Sequence, residues 1–269
     1  MTGIENWTAW RARREERLRA PHGTLALTGT HWLDDEPAPI VEGEPVLWSG
    51  APDGMTVTVT AKAEHGLVLD GEPIDGTVTL FTDSAPHPSV VEAPGYGVRL
   101  VPIARDGDAA LRVYDSNAEA LANFAGIDVF DYDPAAAVDA LFTPYAAERT
   151  EKVQNADGRQ RGLGLVGTVA LTWAGERRDL AVSRNPSGTL QAVFGDATNG
   201  ASTYSFRFLT LPAPDADGRT VADFNRAYLP PCAFVDHFVC PYPPTGNRLA
   251  VPVEAGEKSV RWRVAATEA

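Results

Sequence analysis

The sequence predicts an all-β fold, a β-barrel or sandwich, with an N-terminal α-helix and a Pro/Cys-rich C-terminal loop. After residue 24, short runs alternate apolar and polar residues with period two, which is typical of strands that bury one face. Seven Asp-Gly or Asn-Gly dipeptides separate such runs and favour tight hairpin turns. The 21 prolines and 24 glycines leave no room for the helical crossovers of a parallel sheet. We therefore expect residues 1–22 to form a helix packed on a single β-rich domain, residues 23–269.

The long helix is predicted over residues 3–20, which are rich in the helix-forming residues Arg, Glu, Ala and Leu and are followed by Pro21. Ile4, Trp7 and Leu18 are expected to face inward. The first 20 residues carry five arginines and three glutamates, a net charge of +2. A basic helix that binds nucleic acid or an anionic membrane is one interpretation. We favour a helix laid across its own acidic domain, because the glutamates interrupt the basic run.

Strands are predicted where alternation coincides with β-branched or aromatic residues. Residues 117–124 and 134–141 are predicted as short helices, and the polar stretch 154–162 is either a boundary or a hairpin loop. The predicted strands are residues 56–60, 77–81, 98–103, 110–114, 164–173, 191–194, 203–211 and 259–264. The turn dipeptides begin at Asp53, Asp70, Asp75, Asp106, Asp157, Asn199 and Asp217.

Composition and charge restrict the classes of partner. With 44% hydrophobic and 22% charged residues, the 269-residue chain is expected to fold around a sizeable core, and no apolar run is long enough to span a membrane. The formal net charge of −13 disfavours nucleic acid as a partner. The first residues show no signal peptide and the chain has only two cysteines, so a cytoplasmic location is expected. No cofactor is predicted, and the oligomeric state is left open.

The most unusual segment is residues 223–244, in which five prolines and both cysteines fall within 15 residues. Prolines fix φ and lack an N–H donor, so this segment is predicted to be an ordered loop rather than a central strand. Its cysteines have four interpretations. Cys232, His237 and Cys240 are candidate metal ligands with Asp236 as a fourth, or the two cysteines form a disulfide. We favour two buried thiols, and a cysteine nucleophile with His237 as its base is the last alternative.

The motifs of this region resemble those of the domain-of-unknown-function family 1684. The resemblance covers nearly the whole chain and implies a β-rich bacterial protein with an N-terminal helix, but it implies no activity. It rests on the motifs at residues 27–33, 194–200, 203–204, 207–209, 223–228, 231–234, 240–241, 243–244, 247–249 and 255–258.

Polar residues within these motifs are candidates for a site. Asp196 and Asp223 are predicted to share general acid–base work, and Tyr204 to donate to a developing oxyanion. Arg207 is predicted to anchor a carboxylate or phosphate. The remaining predicted ligand-binding residues are Asn225, Asn247, Glu257 and His31. The same residues also fit turns and caps, with Asp223 capping a short helix near Phe224.

The sequence therefore predicts a pocket for a small polar ligand near residues 196–257, with hydrolytic acid–base chemistry as its activity. The alternative is a non-catalytic structural or interaction protein in which these polar residues only hold the loop. A flavin-binding split barrel ranks third, because nothing in the sequence marks a phosphate or isoalloxazine site. The sequence also lacks a Gly-x-Ser-x-Gly elbow, a Walker-type loop and a His-Glu-x-x-His motif.

Overall fold

The structure, a computed structural model that describes residues 2–263, is mostly β with an N-terminal helix, which confirms the predicted fold class. Its contacts divide the chain into two compact units. The N-terminal unit is Arg17–Asn123, and the C-terminal unit comprises residues 2–16 and 124–263. The helix over residues 1–22 packed on a single β-rich domain over residues 23–269 stays a prediction; the contacts divide between Glu16 and Arg17 and between Asn123 and Phe124.

Helix α1 spans Gly3–Leu18, close to its predicted bounds. Trp7 and Leu18 are buried as predicted, whereas the expectation for Ile4 is wrong, because its side chain is 51% exposed. In the C-terminal unit, the indole N–H of Trp7 donates to the carbonyl of Asn225 at 2.8 Å. The helix is therefore fixed by a specific polar contact as well as by apolar burial.

The N-terminal unit contains two antiparallel sheets around one apolar core. One sheet has six strands in the order β1-β9-β8-β7-β4-β5, and the other has three in the order β2-β3-β6. A short helix, α2 (Glu119–Asn123), follows the last strand. The strands are β1 (Leu27–Trp32), β2 (Leu47–Gly50), β3 (Thr56–Ala61), β4 (Val68–Leu69), β5 (Glu72–Pro73), β6 (Gly76–Phe81), β7 (Val91–Ala93), β8 (Val98–Arg105) and β9 (Asp108–Asp115).

The C-terminal unit is built on a six-stranded sheet with the order β15-β14-β13-β12-β11-β16, and a separate pair joins β10 to β17. Its core lies against one face of the large sheet and includes Phe194 and Phe224, which meet edge to face. The strands are β10 (Phe124–Val129), β11 (Ala137–Gln154), β12 (Gln160–Trp173), β13 (Glu176–Arg184), β14 (Leu190–Phe194), β15 (Arg207–Leu211), β16 (Arg219–Asp223) and β17 (Glu257–Trp262).

The positive φ predicted for the turn glycines is confirmed, although Asp75-Gly76 leads into strand β6 and is not a hairpin turn. The glycine of every predicted turn dipeptide has a positive φ, between +66° at Gly54 and +112° at Gly76. The stretch 154–162 is a hairpin loop, since Gln154 pairs with Gln160 across it. The predicted helix over residues 134–141 is wrong, because a single 3-10 turn, Pro134–Ala136, leads directly into the 18-residue strand β11.

The strand predictions at residues 203–206 and at residue 264 have different outcomes. Strand β15 begins only at Arg207, so the predicted strand starts four residues too early. Residue 264 lies outside the described residues.

Between Asp223 and Glu257 the described chain forms 3-10 turns and isolated bridges, which confirms the ordered loop predicted for the proline- and cysteine-rich segment.

Candidate functional site

Arg207 lies at the start of β15 and is completely buried. Its Nη2 donates to Asp196 at 2.8 Å and to the carbonyl of Val253 at 2.7 Å, and its Nη1 donates to the carbonyls of Ala255 and Glu257 at 2.5 and 3.3 Å. Burial lowers the pKa of Arg207, and the Asp196 carboxylate opposes that shift. The guanidinium thus fixes three backbone carbonyls of the segment 253–257.

Both carboxylate oxygens of Asp196 are occupied by the protein. Oδ2 accepts from Arg207, while Oδ1 accepts from the N–H and hydroxyl of Thr198 at 2.9 and 2.6 Å and from the N–H of Val253 at 3.1 Å. The Asp196 side chain is fully buried. A general base needs a lone pair directed at the substrate. In this arrangement the carboxylate acts instead as a buried acceptor that holds a turn.

Glu257 plays a similar part at the start of β17. Its side chain is 2% exposed, and Oε2 accepts from the N–H of Leu229 at 2.8 Å and from Arg14 of helix α1 at 2.9 Å. Arg14 Nε donates to the other carboxylate oxygen, and its Nη2 also donates to the carbonyl of Leu229. The Arg14 guanidinium lies 4.7 Å from the ring centre of Tyr228. This ion pair therefore joins the N-terminal helix to the loop and to β17.

The side-chain amides of the two predicted asparagines pair with backbone N–H and carbonyl groups in the way that a neighbouring strand would. Asn247 accepts from the N–H of Ala181 at 2.7 Å and donates to the carbonyls of Ala181 and Val193 at 2.8 Å. Strands β13 and β14 pair with each other only next to their connecting turn, at Ser183–Gln191 and Arg184–Leu190. Farther from the turn the strands separate, and the Asn247 amide bridges the gap between them. Asn225 likewise accepts from the N–H of Asp133 and donates to its carbonyl, at 2.9 and 2.8 Å.

Asp223 and Tyr204 are only partly buried. Asp223 caps the 3-10 turn Phe224–Arg226 by accepting from the N–H of Asn225, the capping arrangement that the sequence offered as its second interpretation. The Tyr204 hydroxyl lies 3.4 Å from the carbonyl of Cys232 and 3.9 Å from its sulfur. Burial raises the pKa of Tyr204, so this hydroxyl is a donor rather than a base.

Cys232 and Cys240 are buried thiols that no disulfide joins. The N–H of Cys232 donates to the sulfur of Cys240 at 3.3 Å. A hydrogen bond from the Cys240 thiol lowers the pKa of Cys232, and burial opposes that shift. His237 is exposed, and among residues 2–263 no three His, Cys, Asp or Glu side chains come together as a metal ion requires.

The N-terminal unit contains a cavity of about 550 Å³, within the range of roughly 300 to 1,000 Å³ typical of small-molecule pockets. Its floor is one face of the six-stranded sheet. A register shift between Leu27 and Gly29 breaks the alternation of β1, so Thr28 and His31 both line the cavity although they are three positions apart. The rest of the floor is Ala93, Val98, Leu100 and Val113.

The rim of the cavity comes from loops and turns. The connection from β1 to β2 contributes Ile40 and Glu44, and its first part is held to β2 by paired hydrogen bonds between Ala38 and Trp48. The other side is formed by two 3-10 turns, Ala63–His65 and Pro94–Tyr96. Each turn ends in a left-handed glycine, Gly66 or Gly97. At Gly97 a Cβ would also lie 2.4 Å from Ser116 Oγ, so both backbone and space require glycine there.

Apart from the partly buried Asp223 and Tyr204, the predicted site residues fall into two groups. Asp196, Arg207, Asn225, Asn247 and Glu257 are buried and bound to one another or to backbone of the C-terminal unit. His31 belongs to the N-terminal unit and lines its cavity. His65, Glu44, Glu64 and Tyr96 also line it and were missed by sequence reasoning, because each lies in a loop or turn with no motif around it.

These observations define a mostly-β protein with a stapled C-terminal loop, an N-terminal helix and a separate cavity. The model of the family described as a protein of unknown function, DUF1684, matches residues 122–258, and the chain belongs to this family. The match covers just over half of the chain and does not include the cavity residues.

A search of the curated proteins found no match. Among solved structures, the chain is similar to an uncharacterized protein of the archaeon Haloarcula marismortui, from gene locus rrnAC0354, whose structure was determined in solution by NMR. The two are 36% identical over 51% of this chain and 77% of that chain, with a TM-score of 0.43. No helix within residues 2–263 is both long and apolar enough to cross a membrane.

Proposed function

We propose that this protein binds a small amphipathic molecule in the cavity of its N-terminal unit. The observation that carries the proposal is the cavity itself, which combines a largely apolar floor that includes His31 with a rim of two carboxylates, a histidine and a tyrosine. A concave apolar surface with a few convergent polar groups is the usual form of a small-molecule site. His31, predicted from sequence to bind a ligand, supports the proposal by its position in the lining.

The pocket near residues 196–257, with acid–base chemistry by Asp196, Asp223 and Tyr204, stays a prediction. The contacts of Asp196 and Arg207 favour its alternative, in which the polar residues hold the loop, because both side chains are fully buried, both carboxylate oxygens accept hydrogen bonds from the protein, and both Nη atoms of Arg207 donate to it. A substrate would have to replace several charge-assisted hydrogen bonds to reach either group. We therefore assign these residues a structural role in the proposal and assign no reaction to the protein.

A cytoplasmic location in a bacterial cell, without nucleic-acid or membrane partners, is part of the same proposal. It is supported by the net charge of −13 and by the small number of cysteines. A flavin-binding function ranks below the cavity proposal, since the cavity lining has no arginine or lysine among the described residues to bind a phosphate.

The chain has five histidines, so their imidazole proton signals can be resolved individually by NMR. We expect titration with 4-phenylbutanol, 4-phenylbutylamine or 4-phenylbutyrate to shift the signals of His31 and His65 and to leave those of His87 and His237 unchanged. The reason is that only the first two of these four line the cavity. If no probe shifts the signals of His31 and His65 at 5 mM, the proposal is wrong.

Two variants test the location of binding. Val98→Phe adds volume to the cavity floor and is expected to weaken binding, while Val221→Phe makes the same change on an exposed strand and is expected to leave it unchanged. Gly29→Ala is a second test if Val98→Phe does not fold. Its Cβ would lie 2.6 Å from Nε2 of His31, so the imidazole must move and the affinity must change.

A further inference from the structure

We infer that the cavity takes an organic cation, a molecule in which an ammonium group is joined to an apolar body. This inference rests on the proposed function, because it names the ligand class of the same cavity. It is carried by the charges at the rim, by the charge of the whole N-terminal unit and by the aromatic residue at the mouth.

The charged residues that line the cavity are both acidic. Glu44 comes from the loop between β1 and β2, and Glu64 comes from the 3-10 turn Ala63–His65. Among the described residues, no arginine or lysine joins them in the lining. An anionic head group would meet the like charge of both carboxylates, whereas an ammonium group would be attracted by them.

The N-terminal unit strengthens this preference. Arg17–Asn123 contains 16 acidic and 6 basic residues, a formal net charge of −10 out of −13 for the whole chain. Such an excess of one sign raises the local concentration of cations and speeds their association.

Apolar and aromatic side chains at the mouth of the cavity also fit an organic cation. Tyr96 is 69% exposed and Val41 is 50% exposed, and both line the cavity. A ligand that covers them removes apolar surface from water. The ring of Tyr96 is also an attractive surface for an ammonium group, because the faces of aromatic rings are electronegative. The apolar floor then takes the body of the ligand while its charge stays at the rim.

Lys62 competes with a cationic ligand for the carboxylate of Glu64 at this rim. Its ammonium lies 3.8 Å from Glu64, and both side chains are nearly three-quarters exposed. Ion pairs with this exposure are weak and exchange readily with water. A ligand ammonium held by apolar contacts can therefore displace Lys62, and Lys62→Gln is expected to raise the affinity for cations.

The test compares three probes with the same phenylbutyl body: 4-phenylbutylamine, 4-phenylbutanol and 4-phenylbutyrate. In 10 mM NaCl we expect the amine to bind about tenfold more tightly than the alcohol, and the acid to bind most weakly. In 1 M NaCl, where the Debye length falls from about 30 Å to about 3 Å, the three affinities are expected to converge. Binding is measured by calorimetry and located by the signals of His31 and His65.

Two double variants distinguish the effect of the rim carboxylates from the effect of the overall negative charge of the N-terminal unit. Glu44→Gln with Glu64→Gln is expected to remove the preference for the amine and to leave the affinity for the alcohol unchanged. Glu42→Gln with Glu72→Gln removes the same charge from exposed residues outside the cavity lining and is expected to keep most of the preference.

The outcomes distinguish this inference from the proposed function. If all three probes bind equally well, or if the acid binds best, the cavity is a binding site but the inference is wrong. If the control double variant removes the preference as fully as the rim variant, the rim carboxylates do not select the ligand. If none of the probes binds, the proposed function fails and the inference fails with it.

Discussion

Asp196→Asn should destabilise the protein strongly, because it leaves the charge of Arg207 buried without its counter-ion. Asp196 presents one oxygen to Arg207 and the other to three donors from Thr198 and Val253. An asparagine has a single acceptor oxygen, so its NH₂ group must face either Arg207 or the other donors. Breaking one side of a buried ion pair typically costs about 3 to 5 kcal/mol. That is a large fraction of a stability of about 5 to 15 kcal/mol.

Urea unfolding measures this cost. With an m-value of about 2 to 3 kcal/mol/M, the transition midpoint should fall by roughly 1 to 2.5 M. Trp173 packs on Phe224 with ring centres 4.7 Å apart and reports the state of the C-terminal core by its fluorescence. Asp179→Asn is the control, because its pair with Arg177 is solvent-exposed and should leave the midpoint unchanged.

A second variant, Arg207→Met, removes the other member of the buried ion pair. Combined with Asp196→Asn, it removes the uncompensated charge, so the double variant should be more stable than Asp196→Asn alone. A loss of less than about 1 kcal/mol for Asp196→Asn would refute a structural role for the pair. Loss of an enzymatic activity without loss of stability would support the acid–base prediction for Asp196.

Two further predictions concern titrating groups. The hydrogen bond from Arg161 holds the pKa of Asp157 below its ordinary value, so this carboxylate stabilises the fold above pH 4 and loses that effect as the pH falls through the lowered pKa. Asp157→Asn should therefore flatten the acid side of a stability–pH profile, and an unchanged slope below pH 4 would contradict this. Cys240→Ala removes the hydrogen bond that lowers the pKa of Cys232, so the thiolate absorbance at 240 nm should appear at higher pH than in the parent protein. Appearance at the same pH or lower would show that Cys240 does not set this pKa.

Sequence patterns predicted the local features of the fold well where a residue type has one conformational use. Glycine after aspartate marked the tight turns, and Pro21 marked a limit that α1 does not cross. Strand β11 was missed because six of the seven residues at positions 146–152 are Ala, Glu, Arg or Lys, which favour helices. Its conformation is set by pairing with β12 and β16 on either side, which a local pattern does not contain.

The polar residues of the C-terminal unit were recognised as a group, but their sequence allowed both a catalytic and a structural interpretation. What separates the two is burial and the number of occupied lone pairs. The Asp196 side chain accepts four hydrogen bonds, and its partner Arg207 is fully buried. Both properties depend on how the fold packs, so the residue type alone does not reveal them. The cavity residues other than His31 were missed for a different reason, since a strand bulge and two 3-10 turns bring the lining together from distant parts of the N-terminal unit.

The two sets of polar groups differ in what remains available to a ligand. In the C-terminal unit the carboxylates of Asp196 and Glu257 are almost fully buried and their bonds end on the protein itself. At the cavity rim, Glu44 and Glu64 are exposed, and Glu64 pairs with the exposed Lys62 at 3.8 Å. Binding energy comes from groups whose interactions improve when the ligand arrives, and satisfied buried groups gain nothing from it. The residues to change first in a search for function are therefore those of the cavity, which lie outside the span that matches the family.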